Sequence, residues 1–247
     1  MSKHILVKMG EKNLANSDNK ELIFLPDDPK ANEIVIDLKN RPHAFVLACL
    51  MDRQMNAERA WSIPVRIMDI IGGTSIDALA SVSLKEYQNI FIKHRLHRFN
   101  DLMSEVFYNA VQDIVEYYDG NAAKIWEGKP SSAAIVCKFL EFEGAGPKIA
   151  TMATNILARD FRIPMSDYIC LDVSVDVHVR RVMTRMGLVH EGCSNDYIIY
   201  KAREMSPTYP GIIDAPLWSI GREFCHSINP ACNNCVVKTK CDYYKKK

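Results

Sequence analysis

No apolar run in this chain is long enough to cross a bilayer. The longest unbroken one, Ala44 to Met51, falls far short of the roughly 20 residues a spanning helix needs. Met1-Ser2-Lys3-His4 is followed by neither a long apolar stretch nor a small-residue cleavage site, so no secretory leader is expected. Charge of one sign is also lacking. A formal net charge of +1 at pH 7 gives no bulk argument for or against a polyanionic partner, because local patches decide that. Internal repeats and low-complexity linkers are absent. Cysteines are not distributed as a disulfide framework, and 247 residues can bury a sizeable core without one.

What is present reads as a soluble, mostly helical chain of one large domain or two small ones. Its 48% hydrophobic and 25% charged content is ordinary for such a protein. Helical patterning is expected over Ala44–Gln54, over Ala57–Ile71 with a new start at Pro64, and over Ser83–Lys93 behind a Ser83-Leu-Lys-Glu86 capping box. Further helices are expected over Arg98–Tyr118, Ser131–Phe142, Pro147–Asp160, Val177–Met186 and Pro216–Phe224. The beginning reads differently. Glu21–Leu25 and Glu33–Leu38 look like short strands or extended arms separated by a Pro26-Asp-Asp-Pro29 turn. Basic clusters occur at Lys93–Arg98, at Arg180, Arg181 and Arg185, and at Lys245–Lys247; each fits a solvated face as well as a phosphate contact.

Two motifs carry chemistry. Cys225, Cys232, Cys235 and Cys241 fall in one short stretch, whereas Cys49, Cys137, Cys170 and Cys193 are scattered, the first two in apolar stretches that suit core packing. Four thiolates so close in sequence can wrap one metal centre. Structural zinc usually takes two tight cysteine pairs, and here only Cys232 and Cys235 form one, so spacing leaves zinc and an iron–sulfur centre both open. The second motif is Phe142-Glu-Gly144-Ala145-Gly146-Pro147-Lys148. Two glycines allow a tight hairpin with positive φ, and Pro147 suits the first position of the next helix. The hairpin's backbone N–H groups then face outward at a helix N-terminus, which can hold a phosphate; a plain helical corner fits the same pattern.

Together and in this order, these motifs resemble the endonuclease III family of helix-hairpin-helix base-excision glycosylases. The cysteine spacing, with Trp218-Ser-Ile-Gly221-Arg222-Glu-Phe-Cys225 before it, resembles that family's iron–sulfur loop. Gly144-x-Gly146-x-Lys148 resembles its hairpin, Val175-Asp176-Val177-His178-x-x-Arg181 the segment with its catalytic aspartate, and Leu50-Met-Asp-Arg-Gln54 the helix end whose glutamine fills the gap left by a flipped base. The likeness is strong over about 130–245, moderate over 43–130 and absent before about 40. The stretch from Lys148 to Asp176 is longer than the family's usual spacing, and Asp172 is a rival for the aspartate role. The chain thus reads as a divergent member.

The resemblance implies a mainly α fold with two helical lobes and a short extended or β arm. Its expected parts are an N-terminal arm (1–42) packing on the cluster domain, a six-helix domain (43–162) with the helix-hairpin-helix at about 131–160, and an iron–sulfur domain (163–247). It implies a [4Fe-4S] cluster on Cys225, Cys232, Cys235 and Cys241. Lys148 would be the nucleophile and Asp176 the carboxylate that stabilises the sugar cation, although an aspartate there also suits the N-cap of the next helix. Gly144, Ala145, Gly146, Gln54, Lys238 and Lys240 would contact DNA. The partner would be double-stranded DNA with a damaged or mismatched base, no membrane is implied, and a monomer in the cytoplasm with the nucleoid, or in a nucleus, is expected. The activity would be base removal with lyase cleavage; base removal alone, or a non-catalytic iron–sulfur DNA-binding module, stays open.

Overall fold

The computed structural model describes residues 4–16 and 21–246. Met1 to Lys3, residues 17–20 of the expected arm, and Lys247 of the basic C-terminal run lie outside the described residues. The chain is helical, with no strand among the described residues and no helix long and apolar enough to cross a membrane. It divides into two compact units. One comprises residues 21–128 and 137–153, the other 1–20, 129–136 and 154–247.

The first unit is built on α2 (Pro29–Ile36), α3 (Pro42–Met51), α4 (Ala57–Ile71), α5 (Ile76–Ala80), α6 (Leu84–His94) and α7 (Asn100–Tyr118). Every residue of α3 is buried, and α3 packs against α2, α4 and α7. Each large apolar side chain so buried contributes roughly 1.5–3 kcal/mol. Phe45 of α3 meets Trp61 and Trp126 edge-on, at 5.9 and 6.1 Å between ring centres.

Helix ends follow the sequence closely. Ser83 and Glu86 form the expected capping box, and Gly72 closes α4 in the left-handed region. Pro64, expected to start a new helix, lies buried inside α4 instead. It costs one backbone hydrogen bond, but Ile63, Val65, Ile67 and Met68 are also buried there, and packing outweighs that loss. Of the expected strand at Glu33–Leu38, Glu33–Ile36 is the second half of α2 and Asp37 is its C-cap. Asp28 caps that helix by accepting from Ala31 N–H at 3.0 Å, Pro29 fits its first turn, and Ala31, Ile34 and Val35 bury one face. The stretch at Glu21–Leu25 has no ladder partner because Asn32 takes its backbone. The Asn32 Oδ1 accepts from Phe24 N–H at 2.8 Å and Leu25 N–H at 3.1 Å, and its amide donates to Leu22 O at 2.9 Å.

The second unit holds α1 (Ile5–Asn16), α10 (Val177–Arg185), α11 (Asn195–Met205), α12 (Asp214–Glu223) and α13 (Asp242–Lys245). Helices α8 (Ser132–Glu141) and α9 (Pro147–Arg159) contribute to this unit through residues 132–136 and 154–159. Its core joins Leu6 and Val7 of α1 to Val179, Val182 and Met183 of α10, Ile198 and Ala202 of α11, and Leu217 and Ile220 of α12. Gly10 is needed for close approach, since a Cβ there would stand 2.0 Å from the Ile212 carbonyl oxygen. The sequence pattern gives no sign of α1, α5, α11 and α13. Cys137, read as a core residue, is exposed, while Cys49 is buried as expected.

Candidate nucleophile hairpin and four-cysteine loop

In the first unit, α8 ends at Glu141 and α9 begins at Pro147, leaving the hairpin between them. Gly144 has φ +79°, and its would-be Cβ meets Val106 Cγ2 at 3.0 Å, so glycine is required there on both counts. Gly146 differs: it shows no positive φ, and open space surrounds its would-be Cβ. The expectation of positive φ thus holds at Gly144 alone. The turn uses Ala145 N–H, which donates to Phe142 O at 3.1 Å. Among the described residues, Gly146 N–H and Lys148 N–H have no protein acceptor, and Pro147 has no N–H to offer. The outward donors are therefore those of Gly146 and Lys148, while Ala145 N–H is already spent.

Lys148 occupies the first turn of α9. Its Nζ donates to Asp52 Oδ2 at 2.9 Å, with the lysine side chain 38% exposed and the aspartate 12%. Asp52 is the C-cap of α3, its N–H bonded to Cys49 O. A lysine at a helix N-terminus and an aspartate at a helix C-terminus each stand at the unfavourable end of a helix dipole, and each offsets the other. Beneath them, burial pushes the Cys49 thiol well up, Asp52 adds to that and Lys148 opposes it. The buried His97 ring, held low chiefly by burial, contacts Met51 O at 3.2 Å and floors the same segment. Gln54 follows two residues after Asp52, exposed and with φ +53°, in the short link to α4.

In the second unit, Asp176 is the N-cap of α10. One carboxylate oxygen accepts from His178 N–H and Val179 N–H, both at 2.8 Å, and the other accepts no hydrogen bond among the described residues. Asp172, the rival, is engaged throughout: both of its oxygens accept from Arg203, at 2.8 and 2.7 Å.

Cys225, Cys232, Cys235 and Cys241 line one hollow, with Val182, Met186, Ile220, Phe224 and Val237 among its walls. Burial pushes the Cys235 thiol up, a backbone N–H at Val237 opposes this, and the other three thiols add to the rise. Among the described residues, no three His, Cys, Asp or Glu side chains come together tightly enough to grip a single metal ion. A lone zinc needs its sulfurs about 2.3 Å from one point. The four thiols share one largely apolar hollow.

The loop is clamped from α10. Arg181 donates to Cys225 O at 2.5 Å and to Gly221 O at 3.0 Å. Arg185 donates to His226 O at 2.7 Å, to Ser227 O at 3.1 Å and to Cys225 Sγ at 3.4 Å, and lies over the Tyr243 ring. Arg180 is bound to Cys193 O. This cluster therefore spends its donors inside the protein rather than presenting a solvated basic face. Lys238 is partly committed too, donating to Asn233 O at 2.6 Å, whereas Lys240 is exposed and makes no ion pair among the described residues. Sequence reasoning missed Asp52 and Arg185 as site residues and had Arg181 only as part of the motif around Asp176. Asp52 sat within the quoted Leu50–Gln54 segment, where an acid at a helix end was the available signal.

No family model matches the chain. It is 29% identical over 136 residues to endonuclease III of Sulfolobus acidocaldarius, an alignment covering 51% of this chain and 55% of that protein. The chain thus spans about half the length of the curated relatives it matches. Among solved structures it is similar to a trapped covalent endonuclease III–DNA intermediate (TM-score 0.63, 16% identity, 97% of each chain covered). It is also similar to a thermostable thymine-DNA glycosylase (TM-score 0.64, 14% identity, 98% of each chain). At these identities the likeness to the solved structures is one of fold.

Proposed function

From its kinship with endonuclease III, of which the chain is a divergent relative, we propose that this protein is a base-excision DNA glycosylase with lysine-based lyase activity. The observation that carries the reading is the hairpin: Lys148, with a partly exposed side chain whose amine is held by Asp52, follows two residues after Gly146, and the N–H groups of Gly146 and Lys148 have no protein acceptor among the described residues. Those amides, at a helix N-terminus, suit a DNA phosphate. A base inside a duplex cannot be reached, so the nucleotide must rotate out, and Gln54 on its exposed turn would fill the gap. As the glycosidic bond breaks, positive charge builds on the sugar, and the unengaged carboxylate oxygen of Asp176 would stabilise it. The Lys148 amine would then bond to the sugar carbon as a Schiff base, which opens the way to strand cleavage.

Four cysteines around one apolar cavity support a [4Fe-4S] cluster held by Cys225, Cys232, Cys235 and Cys241. The cluster would hold the loop's shape, and Gly144, Ala145, Lys238 and Lys240 would be DNA contacts in addition to Gly146. The partner would be duplex DNA carrying a damaged or mismatched base, met by a monomer in the compartment that holds the chromosome.

The test is a panel of duplexes, each with one lesion (oxidised pyrimidine, uracil, 8-oxoguanine, alkylated purine, or a mismatch), with borohydride present. Base release with a trapped adduct is expected on at least one. Lys148→Gln should abolish trapping and cut strand cleavage by orders of magnitude, while DNA affinity falls much less. Base release that needs no Lys148 would reduce the reading to a monofunctional glycosylase, and no release on any duplex would overturn it.

A further inference from the structure

We infer that Asp52 is a positioning residue for Lys148, fixing the amine and tying it to the segment that carries Gln54. The inference rests on the reading of Lys148 as nucleophile. The contact is direct, Nζ to Oδ2 at 2.9 Å. Its two ends differ in freedom. Asp52 is 12% exposed and follows immediately on α3, whose ten residues are all buried, so the carboxylate is fixed by the core. Lys148 is 38% exposed and ends a long flexible side chain. An anchored acid thus holds a mobile amine, and the ordering runs from Asp52 to Lys148.

Helix stability does not account for this placement. An acid at the C-terminal end of α3 and a base in the first turn of α9 both oppose the dipoles they stand on. Exchanging the two charges would suit both helices. A pair built against local preference is what a site retains for function. The same contact joins two segments that must act together. Asp52 stands two residues before Gln54, and Lys148 two residues after Gly146. Displacement of the link by DNA would thus be felt at the amine through one hydrogen bond.

An abasic-site duplex tests this without knowledge of the natural lesion. The Lys148 amine adds to the C1′ aldehyde, a C–N bond forms as the carbonyl oxygen leaves as water, and borohydride delivers hydride to the resulting imine carbon. The trapping rate constant is measured at saturating DNA, alongside affinity for the same duplex and thermal stability. Misplacing a reacting group by about 1 Å can cost on the order of 100-fold in rate. Asp52→Ala is therefore expected to slow trapping by about 10- to 100-fold, with affinity within about twofold of wild type. Asp52→Asn keeps an oxygen that accepts the lysine's hydrogen bond and should fall between, which also covers a failure of the alanine variant to fold. A trapping rate in folded Asp52→Asn and Asp52→Ala at or above wild type would overturn the proposal, since the pair would then restrain the amine. A loss that tracks thermal stability or DNA affinity would overturn it too. If the native protein gives no adduct, the nucleophile reading itself falls; if native protein traps and both variants trap equally well, only the role of Asp52 falls.

Discussion

In the unit of residues 21–128 and 137–153, the centre is a wholly apolar helix: α3 is buried from Pro42 to Met51, and aromatic rings pack about it. In the unit of residues 1–20, 129–136 and 154–247, the core is smaller-grained, chiefly Val, Ile, Leu, Met and Ala, and its edge is finished by Cys225, Cys235 and Cys241. Guanidinium groups complete what apolar packing does not. Arg181 and Arg185 bind the loop carbonyls, and Arg203 binds Asp172 with both arms. The first unit is closed chiefly by burial, which is non-directional and tolerant of shape. The second depends on directional contacts and on four thiols around a hollow, so it should fail when single polar groups are removed.

Cysteine replacement should break this asymmetry most visibly. Cys232→Ser or Cys235→Ser removes one of four thiols that the proposed cluster needs, and metal binding free energy is part of folding free energy. In hydrogen exchange on the whole protein, residues 225–245 should lose protection by at least about tenfold, with part of α10 and α12 following. Amides of α3 and α4 should keep theirs. The preparation should also lose iron, sulfide and its yellow-brown colour. Equal loss of protection in both units would show that the first is not closed by its own core.

The next effect separates two aspartates of the second unit. Asp176→Asn keeps the cap geometry but removes the charge proposed to face the sugar cation, so single-turnover base release should fall by about 10²- to 10³-fold. Affinity for damaged DNA should hold or tighten, because a carboxylate near phosphates opposes ground-state binding. Asp172→Asn breaks a two-armed contact with Arg203 and should act on stability instead, by about 1–2 kcal/mol in urea unfolding, with catalysis per folded molecule unchanged. A greater rate loss from Asp172→Asn than from Asp176→Asn would reverse the assignment.

Much of the helical frame could be read directly, since capping and periodicity are local. The capping box at Ser83, the glycine stop at Gly72 and the boundaries of α4 all lie within a few residues of their cause. The errors have both local and distant causes. Glu33–Ile36 has a strand-like composition, yet Asp28 and Pro29 set a helix, and burial against α3 and α4 holds it. Cys137 sits in an apolar stretch, but its position on the helix turns it outward. The hairpin and the cysteine loop were legible because each is compact in sequence. Asp52 was not, because its meaning lies in a contact with a residue 96 positions away. Arg185 reads as a basic cluster, and Arg181 as that and as part of the motif around Asp176, because no local pattern reveals the loop 40 residues on that takes up their donors.

The smallest effect expected concerns the two glycines of the first unit's hairpin, which the sequence presents as equals and the structure does not. Gly144→Ala places a Cβ in the left-handed region and against Val106, so it should destabilise that unit by about 1–2 kcal/mol. Gly146→Ala meets open space without a positive φ and should change stability by less than about 0.5 kcal/mol. That tolerance makes Gly146 the cleaner probe of DNA contact. Gly146→Asp adds a negative charge beside the free amides of Gly146 and Lys148, and should weaken binding by a similar factor on damaged and undamaged duplex, since phosphate contacts carry no base information. The measurement is affinity on both duplexes over a series of salt concentrations, with Gly146→Ala as the steric control. Loss of one phosphate contact should make the salt dependence shallower in Gly146→Asp and leave it unchanged in Gly146→Ala. Full affinity in Gly146→Asp on both duplexes would leave Gly144 and Gly146 alike as parts of a helical corner and remove the hairpin from the DNA interface.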